Sequence, residues 1–475
     1  MLHKQARNGR RSRGLWSGRP TRMVHSAIAR ISGWVPPWDR GNMEFHDILH
    51  GLIRISDENI TSLLAELIDS PEIHRLRNMR QMNFDVPLIQ ELGRSRRLPH
   101  SIGVAFITLG MCHKARLDAH ATRVLVTAAM LHDAAIPPYG HLVESEFKRR
   151  TPNFSHEGRL SDLILGKTTL LNRYEPVLPG KPPKMFKIFE KYDITSDEVL
   201  NIVRPDDGSP TPISADIDID NIDNVHRMAA MLGWDGVKEN ITKLLQSASL
   251  SKGGGLIFKE SGVAQIKTWL DYRQKIYTMI IAHPDCVPYN ALQADLVRAG
   301  VEFEIITPDD WWLSEPEFEE KLRIDERTKP LAWQLITGCD YSLVDYIWFK
   351  NFKSPNKLHN AEIIEHMRKN DSMFGEDYGY FVWNEKGLVT REIQVPGDGW
   401  QGTTLGENST SCMIALVKKT QGKHYFTKEE HAEWRLHTIN QFKALFGVSE
   451  FQLDYPEDYT GEFWGRKSEL NLGYY

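Results

Sequence analysis

Residues 118–132 (DAHATRVLVTAAMLH) are apolar almost all round, and a helix with no polar face has to be enclosed by other helices. This stretch therefore constrains the chain to a helical bundle. Pro137-Pro138 and Gly140 prevent the helix from continuing. The adjacent pair His132-Asp133 thus falls where a buried helix ends, and an imidazole beside a carboxylate can ligate one metal ion. A His-Asp pair is common, and a buried histidine is more often a hydrogen-bonded core residue than a ligand. Two further candidates raise its interest: His100 in RRLPHSIGVAF and Asp220 in SADIDIDNIDNVHRM. Nitrogen mixed with carboxylate oxygen suits Mn, Fe, Ni, Zn or a tolerant Mg-type centre, and the lack of thiolates argues against structural zinc.

The stretch from about Phe45 to Asp220 resembles the HD-domain phosphohydrolases, specifically the deoxynucleoside triphosphate triphosphohydrolases (dGTPases and dNTPases). FHDILHGLIRISDE is similar to the opening D-P-I-H-G-x-I-x-L, through Asp47, His50 and Gly51. SPEIHRLRNMRQM is similar to T-P-x-F-Q-R-L-R-x-I-x-Q-L, through Pro71, Arg75, Leu76, Arg77 and Gln81. RRLPHSIGVA resembles R-F-E-H-S-L-G-V, MLHDAAIPPYGH resembles LLHDIGHPPFGH, and DIDNIDNVHR resembles D-x-D-x-x-D-Y-x-x-R. A weaker similarity runs through ITPDDWWLSEPEFEEKL, and nothing is familiar after about residue 345.

The resemblance implies a metal-dependent nucleotide phosphohydrolase that converts a dNTP to deoxynucleoside plus triphosphate with metal-activated water. It implies His100, His132, Asp133 and Asp220 as metal ligands, for a divalent ion that could be Mn, Mg, Fe, Ni or Zn. Asp133, His141 and His156 become the catalytic candidates, because histidine titrates near neutral pH and can hand a proton to a leaving group. Arg97, Gln81, Asn224 and Arg227 are carried over as substrate-binding residues. A homo-oligomer is implied as well.

Departures from the pattern loosen the substrate. The second motif histidine is Ile136 and the glycine before it is Ala135; the lysine after the last metal aspartate is Asn221, and the tyrosine near the sugar is Asn224. Two other readings follow. One is a binuclear HD phosphodiesterase or oxygenase with His141 and His156 on a second metal; the other is a catalytically weakened nucleotide sensor.

The expected fold is mainly α: an HD-domain helical bundle at 43–250, a helical extension at 251–350, and a smaller α+β region at 351–475. Within the bundle, helical spacing marks 59–69, 99–114 and 118–132. The Pro- and Lys-rich stretch 167–190, with Lys167, Lys181, Lys184 and Lys187, reads as a loop beside the site. SLSKGGG at 249–255 is flexible punctuation and no phosphate loop, since no Gly-Lys-Ser/Thr follows. From 262 to 350 the pattern is helical, with Trp269, Tyr272 and Tyr277 as core or subunit contacts. Residues 376–394 alternate as a hairpin turning at 384–387, SCMIALVKK reads as a strand, and TKEEHAEWRLHTINQFKALFG as a capped helix ending at Gly447.

Residues 1–42 carry nine Lys/Arg against Asp39 alone, a net +8 that leaves the rest of the chain at −13 within an overall −5. Such a leader is expected to be disordered or non-native, with a targeting peptide or a basic arm as alternatives. The net-acidic remainder disfavours nucleic acid as partner. No run approaches the about 18 apolar residues of a membrane span. Four scattered cysteines, Cys112, Cys286, Cys339 and Cys412, fit a reducing compartment, so a cytoplasmic location is expected.

Overall fold

The computed structural model describes residues 43–83, 86–151, 154–168, 170, 185–350, 360–369, 374–386, 391–407, 410–447 and 450–454. The basic leader 1–42 and most of the Lys-rich stretch, including Lys181 and Lys184, lie outside the described residues; Lys187, expected in a loop, stands instead in the helix Met185–Tyr192, whose Met185, Ile188 and Phe189 are buried. The protein is mainly helical with a small α+β region.

The apolar stretch folds as the helix Ala119–Leu131, started by Asp118, whose carboxylate accepts from the Ala121 amide at 2.8 Å. It packs against Arg97–Ala115, a 19-residue helix that also packs against Ile219–Met231. Arg116, at φ 55°, ends the longer helix in the left-handed conformation. Val126, Ala128, Ala129, Met130 and Leu131 are all fully buried, which is what a helix with no polar face requires. Each of these helices delivers one of the polar residues considered below.

An antiparallel hairpin, Met43–Asp47 with Gly51–Ile55, precedes the bundle. Its turn is built by Asp47, whose Oδ1 accepts from the amides of Leu49 and His50, and by Gly51 at φ +73°. SLSKGGG is the turn of a second hairpin, Ala248–Leu250 with Leu256–Phe258. Trp269, in the helix Val263–Ala282, is fully buried and donates from its indole to the Asn221 carbonyl at 3.2 Å, a core contact.

The helical pattern expected up to residue 350 breaks before its end. Ser342–Lys350 is a strand, with Val344 to Phe349 buried in succession. Buried on both faces, it shows no period-2 alternation, so periodicity alone does not separate it from a buried helix. It sits inside an antiparallel sheet of order Gln452–Asp454, Ser342–Lys350, Thr410–Lys418, Tyr378–Lys386. One face of this sheet packs on Asn360–Lys369 and Lys428–Phe446, through Ile347, Phe349, Ile414 and Trp434. The other face packs on the helical body, through Tyr346, Trp348 and Met413 against Ile281, Val287 and Leu292.

Among the described residues, the hairpin expected at 376–394 is not found. Asn384, Glu385 and Lys386 continue the strand that pairs with Thr410–Lys418. Ile393–Val395 pairs instead with Thr403–Leu405 and buries Ile393 and Val395 in the helical body. Cross-strand partners on a long neighbouring strand outweigh the local turn signal of Asn384-Glu385-Lys386. The last helix is as expected, with Thr427 and Glu430 forming a reciprocal cap and Gly447 closing it at φ 64°.

Candidate metal centre

Three side chains from three helices converge in the bundle. His100 comes from the first turn of Arg97–Ala115, His132 caps Ala119–Leu131, and Asp220 lies in the first turn of Ile219–Met231. His132 Nε2 is 3.3 Å from His100 Nε2 and 3.5 Å from Asp220 Oδ1, and His100 Nε2 is 2.9 Å from the same oxygen.

The hydrogen bonds on the far side of each ring define what meets there. His132 Nδ1 donates to the Ala129 carbonyl at 2.8 Å, and His100 Nδ1 donates to Asp223 Oδ1 at 2.7 Å. In the neutral rings both Nε2 atoms are therefore bare lone pairs, and both face a carboxylate oxygen that can only accept. Three acceptors around one point fit a cation, and His-His-Asp ligands suit a divalent metal. Burial disfavours the imidazolium form, yet the flanking carboxylates of Asp133 and Asp220 push His132 up to about 9. Burial likewise opposes ionisation of Asp220, but His132 and His100 hold it well below the usual carboxylate range. Asp220, whose side chain is 31% exposed, is the most open of the three.

Asp133 stands beside this group. Its Oδ2 is 3.6 Å from His132 Nε2 and accepts from Arg97 Nη1 at 2.5 Å. Burial raises its pKa, and the Arg97 guanidinium with His132 more than reverses this, keeping it ionised. Arg97 also donates to the carbonyls of Arg80 and Gln81. Gln81 joins the same region through its amide, which donates to Asn224 Oδ1 at 2.8 Å and accepts from Ser95 Oγ at 2.9 Å.

Arg227, carried over as a substrate contact, is 2% exposed. It donates to both oxygens of Asp223 and, at 2.6 Å, to Asp47 Oδ2. Asp223 in turn accepts from His50 Nε2 at 2.7 Å. The opening hairpin, through Asp47 and His50, thus closes a buried network whose output is the orientation of His100. A buried carboxylate behind a ligating imidazole fixes its tautomer. Asp223 was not singled out from the sequence, although its spacing three residues after Asp220 and four before Arg227 puts the three on neighbouring turns of one helix.

His141 and His156 form a second group. Gly140, at φ 48°, starts the helix His141–Arg150, and Ser155 caps His156–Ile164. Their rings lie 5.4 Å apart and share Glu144, which accepts from His141 Nδ1 at 2.8 Å and His156 Nδ1 at 3.2 Å. It also accepts from the His156 amide and pairs with Lys148. Burial would raise Glu144; the two histidines instead hold it far below its ordinary range. Glu144 was missed in the sequence, where its only signal is its position three residues after His141.

The loop after His132-Asp133 is held by its backbone. Arg75 donates to the carbonyls of Ala134, Ile136 and Leu313, and Trp311 donates from its indole to the Ala135 carbonyl at 2.7 Å. Ile136 is 1% exposed and packs in the main core. The acidic ITPDDWW segment therefore backs the metal loop.

No family model matches the chain. An uncharacterised protein of Methanocaldococcus jannaschii is 24% identical over 241 residues, covering 50% of this chain and 45% of that protein. A deoxynucleoside triphosphate triphosphohydrolase of Gallus gallus is 24% identical over 176 residues, 35% of this chain and 26% of that protein. The chain bears a partial likeness to that enzyme. It spans less than half the length of either curated relative. The crystal structure of a hypothetical protein from Aquifex aeolicus matches with a TM-score of 0.51 at 14% identity, over 85% of this chain and all of the other, which shows a shared fold. Among the described residues, no helix is long and apolar enough to cross a membrane.

Proposed function

We propose that this chain is a metal-dependent nucleotide phosphohydrolase acting on (deoxy)nucleoside triphosphates, with release of triphosphate as the expected reaction. The observation that carries the reading is the convergence of His100 Nε2, His132 Nε2 and one Asp220 oxygen on a single point. His100, His132 and Asp220 would hold a divalent ion, with Asp133 as fourth ligand. Such an ion lowers the pKa of bound water and neutralises charge on phosphoryl oxygens.

The residues around it have distinct tasks. Arg97 holds Asp133 ionised and brings positive charge beside the centre, where phosphate would collect. Glu144 fixes the rings of His141 and His156, and either imidazole is suited to deliver a proton to a leaving oxygen. The amides of Gln81 and Asn224 are suited to hydrogen-bond a sugar.

The test is product analysis of purified protein with Mn²⁺ or Mg²⁺ and a panel of dNTPs, NTPs and cyclic nucleotides. Turnover that disappears in Asp220→Asn and His132→Ala supports the reading, and the product separates triphosphate release from stepwise phosphate release. No turnover with any nucleotide and either ion sinks it, and tight binding without turnover would point to a nucleotide sensor.

A two-metal phosphodiesterase is the second reading, because His141, Glu144 and His156 offer another set of closely spaced ligand atoms. Glu144 is already engaged by two imidazoles, a backbone amide and Lys148, so one ion per chain is expected. Elemental analysis giving two ions per chain would favour the alternative. The proposal includes a homo-oligomer, checked by sedimentation.

A further inference from the structure

A cavity of about 560 Å³ opens at the seam between the helical body and the four-stranded sheet, within the roughly 300–1,000 Å³ range of small-molecule sites. None of His100, His132, Asp133 or Asp220 lines it. Its walls come from Pro87 and Leu88, from Pro288 and Tyr289 at the start of the helix Val287–Glu302, and from the C-terminal region.

Nitrogen-bearing side chains outnumber carboxylates on the lining. Lys423, His424 and His431 face a single acid, Asp285. Behind His431 stands Asp345, 3% exposed, which accepts from His431 Nδ1 at 2.7 Å and from two Arg435 nitrogens at 2.9 and 3.0 Å. Arg435 pairs with the same carboxylate, and the aspartate orients the His431 ring. His424 is fixed likewise, 2.8 Å from the Tyr378 hydroxyl through Nδ1. Its Nε2 is enclosed without a hydrogen-bond partner among the described residues, a state a folded protein seldom leaves uncompensated.

The wall is also aromatic. Phe426 packs edge-on against both His424 and His431 at ring separations of 5.1 Å. Tyr425, next to it on the lining, is 78% exposed. An exposed ring beside a cavity is apolar area that an occupant would cover, and its hydroxyl remains free for polar contact.

We propose that this cavity is a binding site for a small anion built on an aromatic ring, the ring lying against Tyr425 and Phe426 and the anionic group meeting Lys423 and His431. The site contains residues of both the helical body and the sheet layer, so its occupant would tie them together beside the existing link of Asp295 to the Tyr341 hydroxyl and Lys419. The inference is independent of the hydrolysis proposed above.

Calorimetric titration of the full chain with adenosine 5′-monophosphate in excess EDTA tests it, with adenosine and inorganic phosphate as the ring-only and charge-only probes. The monophosphate is expected to bind at least about tenfold more tightly than either fragment and to raise the melting temperature. Lys423→Glu and Tyr425→Ala, both exposed positions, should each weaken it at least about fivefold with an unchanged circular dichroism spectrum. Asp220→Asn should leave it unchanged, which separates this site from the metal centre. Absence of binding, equal binding of inorganic phosphate, or binding lost in Asp220→Asn but kept in Lys423→Glu overturns the proposal.

Discussion

Asp223 Oδ1 accepts the Nδ1 hydrogen of His100 at 2.7 Å with both residues enclosed, and this contact aims the opposite ring nitrogen at Asp220. The carboxylate stays ionised against burial because Arg227 neutralises it and His50 donates to it. The orientation of one candidate ligand is thus set by a hairpin that precedes it by about fifty residues.

Asp223→Asn is expected to weaken divalent-ion binding about 10–100-fold, the usual cost of losing a carboxylate behind a ligating histidine. It also leaves Arg227 undercompensated, so stability should fall by roughly 3 kcal/mol. Isothermal titration with Mn²⁺ on folded protein checks the first effect; an unchanged affinity would show that His100 needs no such support.

Two glycines of the helix Arg97–Ala115 should respond in opposite ways to alanine. A Cβ at Gly103 would lie 2.5 Å from Arg227 Nη2 and 2.5 Å from Asp223 Oδ2, whereas Gly110 has nothing within 4 Å. Gly103→Ala is expected to cost about 1–3 kcal/mol through overpacking. Gly110→Ala, exposed and helical, should gain about 0.5–1 kcal/mol. Urea denaturation of the two variants decides the matter.

Burial pushes the Glu72 carboxyl up from 4.5 to about 7. The folded state then keeps a proton that the unfolded state has lost, so stability falls as pH rises from about 4.5 to about 7. Glu72→Gln removes that dependence. The variant should be about 2–3 kcal/mol more stable than the parent above pH 7, with the advantage gone below about pH 4.5. Parallel denaturation at pH 4 and pH 8 measures it, and a constant difference would refute the buried-acid account.

Ile136 is packed in the core, with its carbonyl held by Arg75. Placing a histidine there, Ile136→His, is expected to bury an imidazole among apolar side chains at a cost of roughly 1–3 kcal/mol. Thermal melting reads the loss. A variant as stable as the parent, with raised nucleotide turnover, would mean the side chain reaches the site after all.

A divalent ion held only by the folded arrangement of His100, His132 and Asp220 stabilises by mass action, so Mn²⁺ is expected to raise the melting temperature of the parent protein. At a concentration 100 times Kd the stabilisation is about 2.7 kcal/mol. His132→Ala should abolish the shift, as measured by scanning calorimetry with and without EDTA.

Much of the fold was legible because its signals are local. The expected helices 59–69, 99–114 and 118–132 match Glu58–Ile68, Arg97–Ala115 and Ala119–Leu131, and the cap at Thr427 with the stop at Gly447 stands in the chain itself. Ser342–Lys350 was not legible, since a strand covered on both faces loses its alternation. Nor was the pairing of Ile393–Val395 with Thr403–Leu405 in place of a turn at 384–387, because strand partners are chosen by distant residues.

The sequence by itself determined that a helix apolar on all sides ends at His132-Asp133 and that His100 stands in another helix, while Asp220 was joined to them through a resemblance of motifs. Only the tertiary structure decided what each polar residue does there. It gave Arg227 to Asp223 and Asp47, Glu144 to His141 and His156, and Ile136 to the core. The reason is physical: a buried charge is tolerated only where a partner meets it, and those partners come from segments up to 180 residues away in the chain.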